Sequence, residues 1–276
     1  MNATRCPLSR RSRLHWAAVV VSCALLSLQI AAHGQLAVTG ELTHEYTVAP
    51  GETVEGVLVV ENTSDLPVQV SVRQTDYLFF ADGTNRYDDP GTVERSNALW
   101  MRLALPPRLS IPPRSSAEIH YWIDVPDDPG LTGTYWSMLL VAPVLDELPD
   151  LAATDSFGVR TVLQYGVQIV THIGDSGEVQ ISLVDVQLLA EGDDVVLQVD
   201  LGNSGERWLR PEVWIELYDA EGVLVRRIES GRTRIFPGTT VRHRLALDVP
   251  PGTYSALLVL DNGDDHVWGA QYTFEL

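Results

Sequence analysis

Apolar and polar residues alternate in short runs along most of the chain after residue 35. These runs are rich in β-branched and aromatic residues, and Pro, Gly or Asn lies near their ends, which is typical of short strands. The clearest runs are Val54–Val60, Val68–Val72, Ile119–Ile123, Val195–Val199, Glu212–Leu217, Arg242–Leu247 and Tyr272–Leu276. No window of useful length has a convincing period of 3.6 residues, so the pattern predicts an all-β sandwich fold.

Turn sequences of the first half recur in the second half at matching spacing. The matched pairs are Ile111–Ser116 with Ile235–Thr240, Asp124–Pro126 with Asp248–Pro250, Gly133–Val141 with Gly252–Val259 and Val59–Ser64 with Val199–Ser204. A repeat of about 100 residues is the usual size of one immunoglobulin-like sandwich. We therefore expect two tandem immunoglobulin-like β-sandwich domains, at residues 35–174 and 177–276.

The boundary between the two domains is set by one long run. Val159–Val170 alternates, with Val159, Leu163, Tyr165, Val167 and Ile169 on one face, and is predicted to be the last strand of the first domain. An acidic segment, Leu145–Ser156, precedes it and is predicted to be a long surface loop.

The first 34 residues have the order of a secretory signal peptide. Four Arg residues are followed by an apolar run from Leu14 to Ala32 and by small residues up to Gly34, which predicts cleavage before Gln35. Two alternatives stay open: an uncut signal, and lipidation at Cys23. We expect an exported chain of the periplasm or cell surface, with no membrane-spanning segment after the signal.

The composition excludes some kinds of chemistry and of partner for the exported part of the chain. Both cysteines, Cys6 and Cys23, lie in the leader, which excludes disulfides and thiol chemistry after cleavage. Four of the 19 basic residues also lie there, and all 19 are Arg, so residues 35–276 have 15 Arg against 37 acidic residues, a net charge of −22. Such a surface repels nucleic acid and anionic lipid, so neither is expected as a partner.

No set of residues predicts a catalytic, cofactor or metal site. Gly174–Gly177 has the Gly-Asp-Ser-Gly order found around a protease nucleophile but is better explained as an inter-domain turn. The acidic segments Asp82–Asp89 and Asp261–Asp265 do not match a calcium loop and are predicted to be solvated turns. Trp122 and Trp136 are expected in the core or between the domains.

The order of turns resembles that of the WxL-interacting proteins of bacterial cell walls. In the first half it runs through Pro50-Gly51, Asn62-Thr63-Ser64 and Ile111–Ser116, and the second half ends in Pro251–Tyr254 and Trp268–Phe274. The resemblance implies a non-enzymatic scaffold that binds a surface protein, with peptidoglycan as a further ligand. The chain departs from this family in having no C-terminal membrane helix and no lysine.

Periplasmic pilus chaperones provide the second resemblance, carried by the alternating run Val159–Ile169. These chaperones have two immunoglobulin-like domains and use the last strand of the first to complete a partner's sheet. The resemblance implies partner binding by Arg160, Leu163, Tyr165, Val167 and Ile169. It also implies a basic pair that holds the partner's terminal carboxylate, with Arg160 as one member. The first strand, taken as Leu36–Val48, has no Arg or Lys to be the other.

A carbohydrate-binding accessory protein or secreted hydrolase is the third alternative. Tryptophan side chains offer flat apolar area for stacking on a sugar. Because no pair of carboxylates is singled out, we expect a binding protein and not an enzyme.

Overall fold

The computed structural model describes residues 36–106, 108–144, 162–192 and 194–276. The predicted signal peptide, the whole of the predicted loop Leu145–Ser156, Val159 and Arg160 lie outside these ranges. The described residues form strands and one short 3-10 helix, Ala98–Trp100, so the predicted all-β fold is confirmed. In these ranges no helix is long and apolar enough to span a membrane.

The first sandwich is built from two sheets. One contains β1 (Leu36–Thr39), β3 (Thr53–Asn62), β8 (Ser116–Asp124) and β6 (Met101–Leu103), in that order. The other contains β2 (Thr43–Val48), β10 (Tyr165–Ile173), β9 (Gly133–Pro143), β4 (Val68–Phe79) and β5 (Asn85–Asp88), and β7 (Leu109–Ile111) also pairs with β4. Their inner faces enclose a core that includes Leu58, Tyr121, Leu139 and Ile169.

The second sandwich has the same two-layer plan. Its smaller sheet has the order β11 (Ile181–Glu191), β12 (Asp194–Asn203), β15 (Thr240–Ala246). Its larger sheet has the order β14 (Leu224–Arg232), β13 (Glu212–Tyr218), β16 (Thr253–Asp261), β17 (Val267–Glu275). Leu197, Ile215 and Leu258 are completely buried between the sheets.

Residues 36–48, expected to be one strand, form two. Gly40 has φ +98, a conformation that costs little only for glycine, and the chain turns there. β1 then pairs with β3 in one sheet, whereas β2 pairs in parallel with β10 in the other. The expectation of a single strand was therefore wrong, because this turn moves the chain from one sheet to the other.

An aromatic layer joins the two sandwiches. The ring of Trp136 from β9 stacks on that of Phe236 at a centroid distance of 4.8 Å and an angle of 11°, with Leu78 and Val170 packed around them. Residues Gln35–Leu276 form one compact unit. The division into separate domains at residues 174–177 stays a prediction.

Candidate functional site

Strand β10 is paired on both sides over only part of its length. Residues 168–173 pair with both β2 and β9, but residues 165–167 pair with β9 alone. The N–H of Gln168 donates to the carbonyl of Leu42, on the β2 side. Because backbone groups alternate in direction along a strand, the N–H and C=O of Gly166 point to that same side. No backbone partner faces Gly166 there among the described residues, so this end of β10 is an open edge.

The predicted partner-binding residues are distributed around this edge. Leu163 is 49% exposed just before the strand. Tyr165 is half-buried, and its hydroxyl donates to the carbonyl of Leu36 at 3.1 Å. Val167 and Ile169 are completely buried in the core, so their side chains are not presented to a partner. Arg160 lies outside the described residues. Direct contact with a partner stays a prediction for Arg160, Leu163 and Tyr165.

Gly166 lies next to the open edge, on the face that β10 turns toward the second sandwich. A Cβ at this position would lie 2.6 Å from the Sδ atom of Met138, which occupies the space on β9. The absence of a side chain at Gly166 therefore leaves room for Met138 to pack against β10.

The same face of β10 leads into a cleft between the two sandwiches. Glu45 from β2 and Arg234 form an ion pair across it. The Arg234 guanidinium lies 4.5 Å from the ring centre of Trp208, and the His172 ring stacks on Trp208 at 5.6 Å. Beside them is a cavity of about 200 Å³ that also borders Ser176 and Arg207.

His172 has a hydrogen-bond partner at one ring nitrogen. Thr134 Oγ1 accepts the backbone N–H of Trp208 at 3.0 Å and lies 3.0 Å from His172 Nδ1. The other ring nitrogen, Nε2, is buried with no hydrogen-bond partner and lies 3.9 Å from Glu45. Burial lowers the pKa of His172. The charge of Glu45 raises this pKa, whereas the charges of Arg207 and Arg234 lower it further. The imidazole is therefore neutral at pH 7.

Glu206 connects the two sandwiches at the other end of the cleft. Its carboxylate accepts from the Thr132 hydroxyl at 3.0 Å and pairs with Arg95 at 2.8 Å. Its carbonyl accepts the N–H of Thr134 at 2.8 Å. The Thr132 hydrogen bond, followed by the Glu178 N–H and the Arg95 charge, lowers the pKa of this carboxyl. These contacts hold Thr134, and through it His172, in place.

The Gly-Asp-Ser-Gly segment borders the cleft as a turn. Gly174 and Gly177 have φ of +52 and +93. Ser176 Oγ donates to the carbonyl of Ile173 and accepts the N–H of Gly133 at 3.2 Å. Its hydroxyl is committed to the backbone and not to a histidine, so the interpretation as a turn is confirmed.

The two tryptophans that were predicted to be buried, Trp122 and Trp136, lie in different environments. Trp136 is 2% exposed, as expected for a core residue. Trp122 is half-buried on the outer face of β8, where Arg102 lies 5.5 Å from its ring centre, so its assignment to the core or the inter-domain layer was wrong. Residues of β8 alternate in burial, and Tyr121 and Ile123 take the inward positions. The described residues contain no group of three or more His, Cys, Asp or Glu placed to hold a metal ion.

Comparison with known proteins gives likenesses of structure only. No family model and no curated protein matches the chain. It is similar to a chain of the chaperone–tip adhesin complex of CFA/I fimbriae (11% identity, 86% of this chain and 97% of that chain covered, TM-score 0.46). It is also similar to the class 5 fimbriae chaperone CfaA (10%, 86% and 98%, 0.45) and to a chain of the CsuC–CsuE pre-assembly complex of Acinetobacter baumannii (10%, 86% and 97%, 0.43).

These three structures are fimbrial chaperones or their complexes with tip subunits, and none of the three is a WxL-interacting protein. Sequence identity to each is low, so the partner of this chain is not taken from them.

The basic pair implied by the pilus-chaperone resemblance is not formed by the expected elements. β2 contributes an acidic residue, Glu45, to the cleft. The arginine opposite it, Arg234, belongs to the second sandwich and is already paired with Glu45. No sequence pattern predicted a contact between Glu45 and Arg234, which are 189 positions apart.

Proposed function

We propose that this chain is an exported, non-enzymatic, chaperone-like protein that binds an extended segment of another exported protein. In this proposal residues 1–34 are its signal peptide, and residues 35–174 and 177–276 are its two domains. The partner segment pairs with the open edge of β10 and runs toward the inter-domain cleft.

The observation that carries this proposal is the unpaired backbone at Gly166. An unpaired strand edge is a template for an added strand, and soluble proteins normally cover or charge such an edge. Here the exposed side chain at its start is Leu163, an apolar residue. Main-chain hydrogen bonds of an added strand supply affinity, and the side chains beside the edge supply selectivity.

The cleft continues this surface, and contacts between the sandwiches join its two walls. Glu206, Thr134 and the Trp136–Phe236 stack fix the second sandwich against β9 and β10. A fixed second wall limits the directions that a bound strand can take, which lowers the entropy lost on binding.

The test is retention of exported proteins on the immobilised chain Gln35–Leu276, with identification by mass spectrometry. We expect Leu163→Arg to lose the retained protein, because it adds a charge and bulk at the start of the open edge. The matched control is Leu66→Arg, which makes the same change at a leucine that is 54% exposed elsewhere in the first sandwich.

A segment of the retained protein, made as a synthetic peptide, is then titrated against the parent chain, Leu163→Arg and Leu66→Arg. Equal affinity for Leu163→Arg and the parent chain contradicts the proposal. Sedimentation of the chain with peptidoglycan, unchanged by Leu163→Arg, favours the wall scaffold instead.

A further inference from the structure

One edge of the second sandwich is long, apolar and without basic residues. Strand β11 pairs with β12 and has no partner on its other side among the described residues. Its exposed large side chains are Leu183 (38%), Val184 (57%) and Leu188 (39%). The charged residues of this strand are both acidic, Asp185 and Glu191. Edge strands are normally protected by charged residues, proline or a bulge. Strand β11 has two acidic residues and a register shift between Leu183 and Asp185, but it also exposes three large apolar side chains.

A second exposed edge lies on the opposite side of the same sandwich. Strand β14 pairs with β13 alone in the described part of the chain. Strand β14 lies on the β15 side of the sandwich, because Ser230 of β14 and His243 of β15 are hydrogen-bonded at 2.8 Å. Strands β15 and β11 flank β12 on opposite sides, so the β14 edge and the β11 edge are on opposite sides of the sandwich. Leu224 (50%) and Val225 (41%) are exposed at the start of β14.

The two edges are complementary in charge. β14 has three arginines, Arg226, Arg227 and Arg232, against one acidic residue, whereas β11 has two acidic residues and no arginine. An antiparallel register that places Asp185 opposite Arg227 also places Leu188 opposite Leu224. Cross-strand pairs of opposite charge and of apolar residues both stabilise a sheet.

The charged side chains of these edges already have partners within the chain but stay partly exposed. Arg227, which is 42% exposed, contacts Glu229 at 3.1 Å and Glu216 at 3.7 Å, and its guanidinium lies 4.3 Å from the ring centre of Trp214. Glu191 contacts Arg244, and both side chains are about half exposed. Exposed ion pairs of this kind contribute little to stability and exchange readily.

We propose that a second copy of this chain occupies the β11 edge through its β14 edge. The smaller sheet of one copy then continues into the larger sheet of the next. Because the two edges differ and lie on opposite sides, the contact is head-to-tail and each copy leaves one edge of each kind free. The net charge of −22 on Gln35–Leu276 repels copies at a distance, so assembly needs salt to screen it, to a Debye length of about 8 Å at 0.15 M.

The test is sedimentation velocity of Gln35–Leu276, which forms one compact unit, at concentrations of about 1–100 µM in 0.15 M salt. We expect a series of species larger than the monomer that grows with concentration. Asp185→Arg and Arg227→Glu, each alone, bring like charges together and should weaken association by about tenfold or more. An equimolar mixture of the two variants restores it, because the contacts between unlike copies are again oppositely charged.

The matched control is Glu118→Arg, an equal charge reversal at an exposed site on β8 of the first sandwich, which should leave association unchanged. A chain that stays monomeric throughout, variants that associate like the parent, or a mixture that stays dissociated each overturn the proposal. A dimer sensitive to Asp185→Arg but not to Arg227→Glu also overturns it, in favour of β11 pairing with itself. Leu163→Arg leaves this association unchanged, so partner binding at β10 and self-association at β11 are tested separately.

Discussion

Asn62 and Asn203 occupy equivalent positions in the two sandwiches and share two matching donor hydrogen bonds, and Asn62 makes a further one to the carbonyl of Pro112. The Asn62 carboxamide N–H groups donate to the carbonyls of Leu66 and Ile111, at 2.7 and 3.0 Å. Those of Asn203 donate to the carbonyls of Arg207 and Ile235, at 2.6 and 3.0 Å.

Both side chains are almost completely buried, at 0% and 3% exposure. Each fastens the end of a central strand to the turn that precedes another strand. The turn beside Asn62 contains Arg114 with φ +52, and the turn beside Asn203 has Gly238 with φ +74 at the corresponding place. An arginine in this conformation is strained, and the hydrogen bond from its N–H to the carbonyl of Ser64 helps to hold it there.

Asn62→Ala is expected to lower the free energy of unfolding by about 2–3 kcal/mol, because buried carbonyls lose their donors. Asn203→Ala should have an effect of similar size, since its carboxamide also donates to two buried backbone carbonyls. Urea unfolding of the two variants measures this. A loss below about 0.5 kcal/mol in either would show that water or a local shift replaces the carboxamide.

Asp76→Asn is expected to destabilise the first sandwich. Asp76 is 1% exposed and accepts the backbone N–H groups of Gly91, Thr92 and Val93, at 3.2, 2.8 and 2.8 Å. A carboxamide offers one acceptor oxygen in place of two and brings its own N–H groups against donors. We expect a loss of about 2–3 kcal/mol in unfolding free energy, measured by chemical denaturation. Asp82→Asn, an exposed site in a nearby turn, is the control, and an equal loss there would contradict the explanation.

Gly166→Ala should cost about 1–3 kcal/mol of stability, because the new methyl group meets Met138 in a packed position. Combining it with Met138→Ala removes the clash, so the double variant should be more stable than the sum of the single effects predicts. Thermal unfolding of the four chains completes the cycle. Strict additivity would show that the strand moves to accept the methyl group.

Stability is expected to fall as the pH drops below the unfolded-state histidine pKa of 6.5. The folded-state pKa values of His172 and His243 are lowered, in both cases first by burial. Between the folded and unfolded pKa values the unfolded chain binds more protons, so acid favours unfolding, and the stability present above pH 6.5 is lost progressively. His172→Gln removes one titrating group and should make the free energy of unfolding less steep between about pH 6.5 and 5. An unchanged slope would assign the effect to other groups.

Local patterns in the sequence are sufficient for the all-β class and the repeated unit. Strand propensity and turn residues act over a few positions, so the runs around Val57, Ile119 and Ile215 coincide with β3, β8 and β13. The shared turn sequences at residues 111–116 and 235–240 also correspond to the same hydrogen bonds to Asn62 and Asn203.

The sequence by itself thus determined the layered β fold and the existence of the candidate strand, because these depend on alternation along a single segment. Its bounds were wrong, since residues 162–164 are not strand and β10 is Tyr165–Ile173. Only the tertiary structure decided which part of that strand is open. That depends on β2, which begins only after the chain has turned at Gly40 and pairs with β10 from Gln168 onward, so it stops short of Gly166. Tertiary structure also decided that Val167 faces the core and that Glu45 meets Arg234, since both follow from packing between segments far apart in the chain.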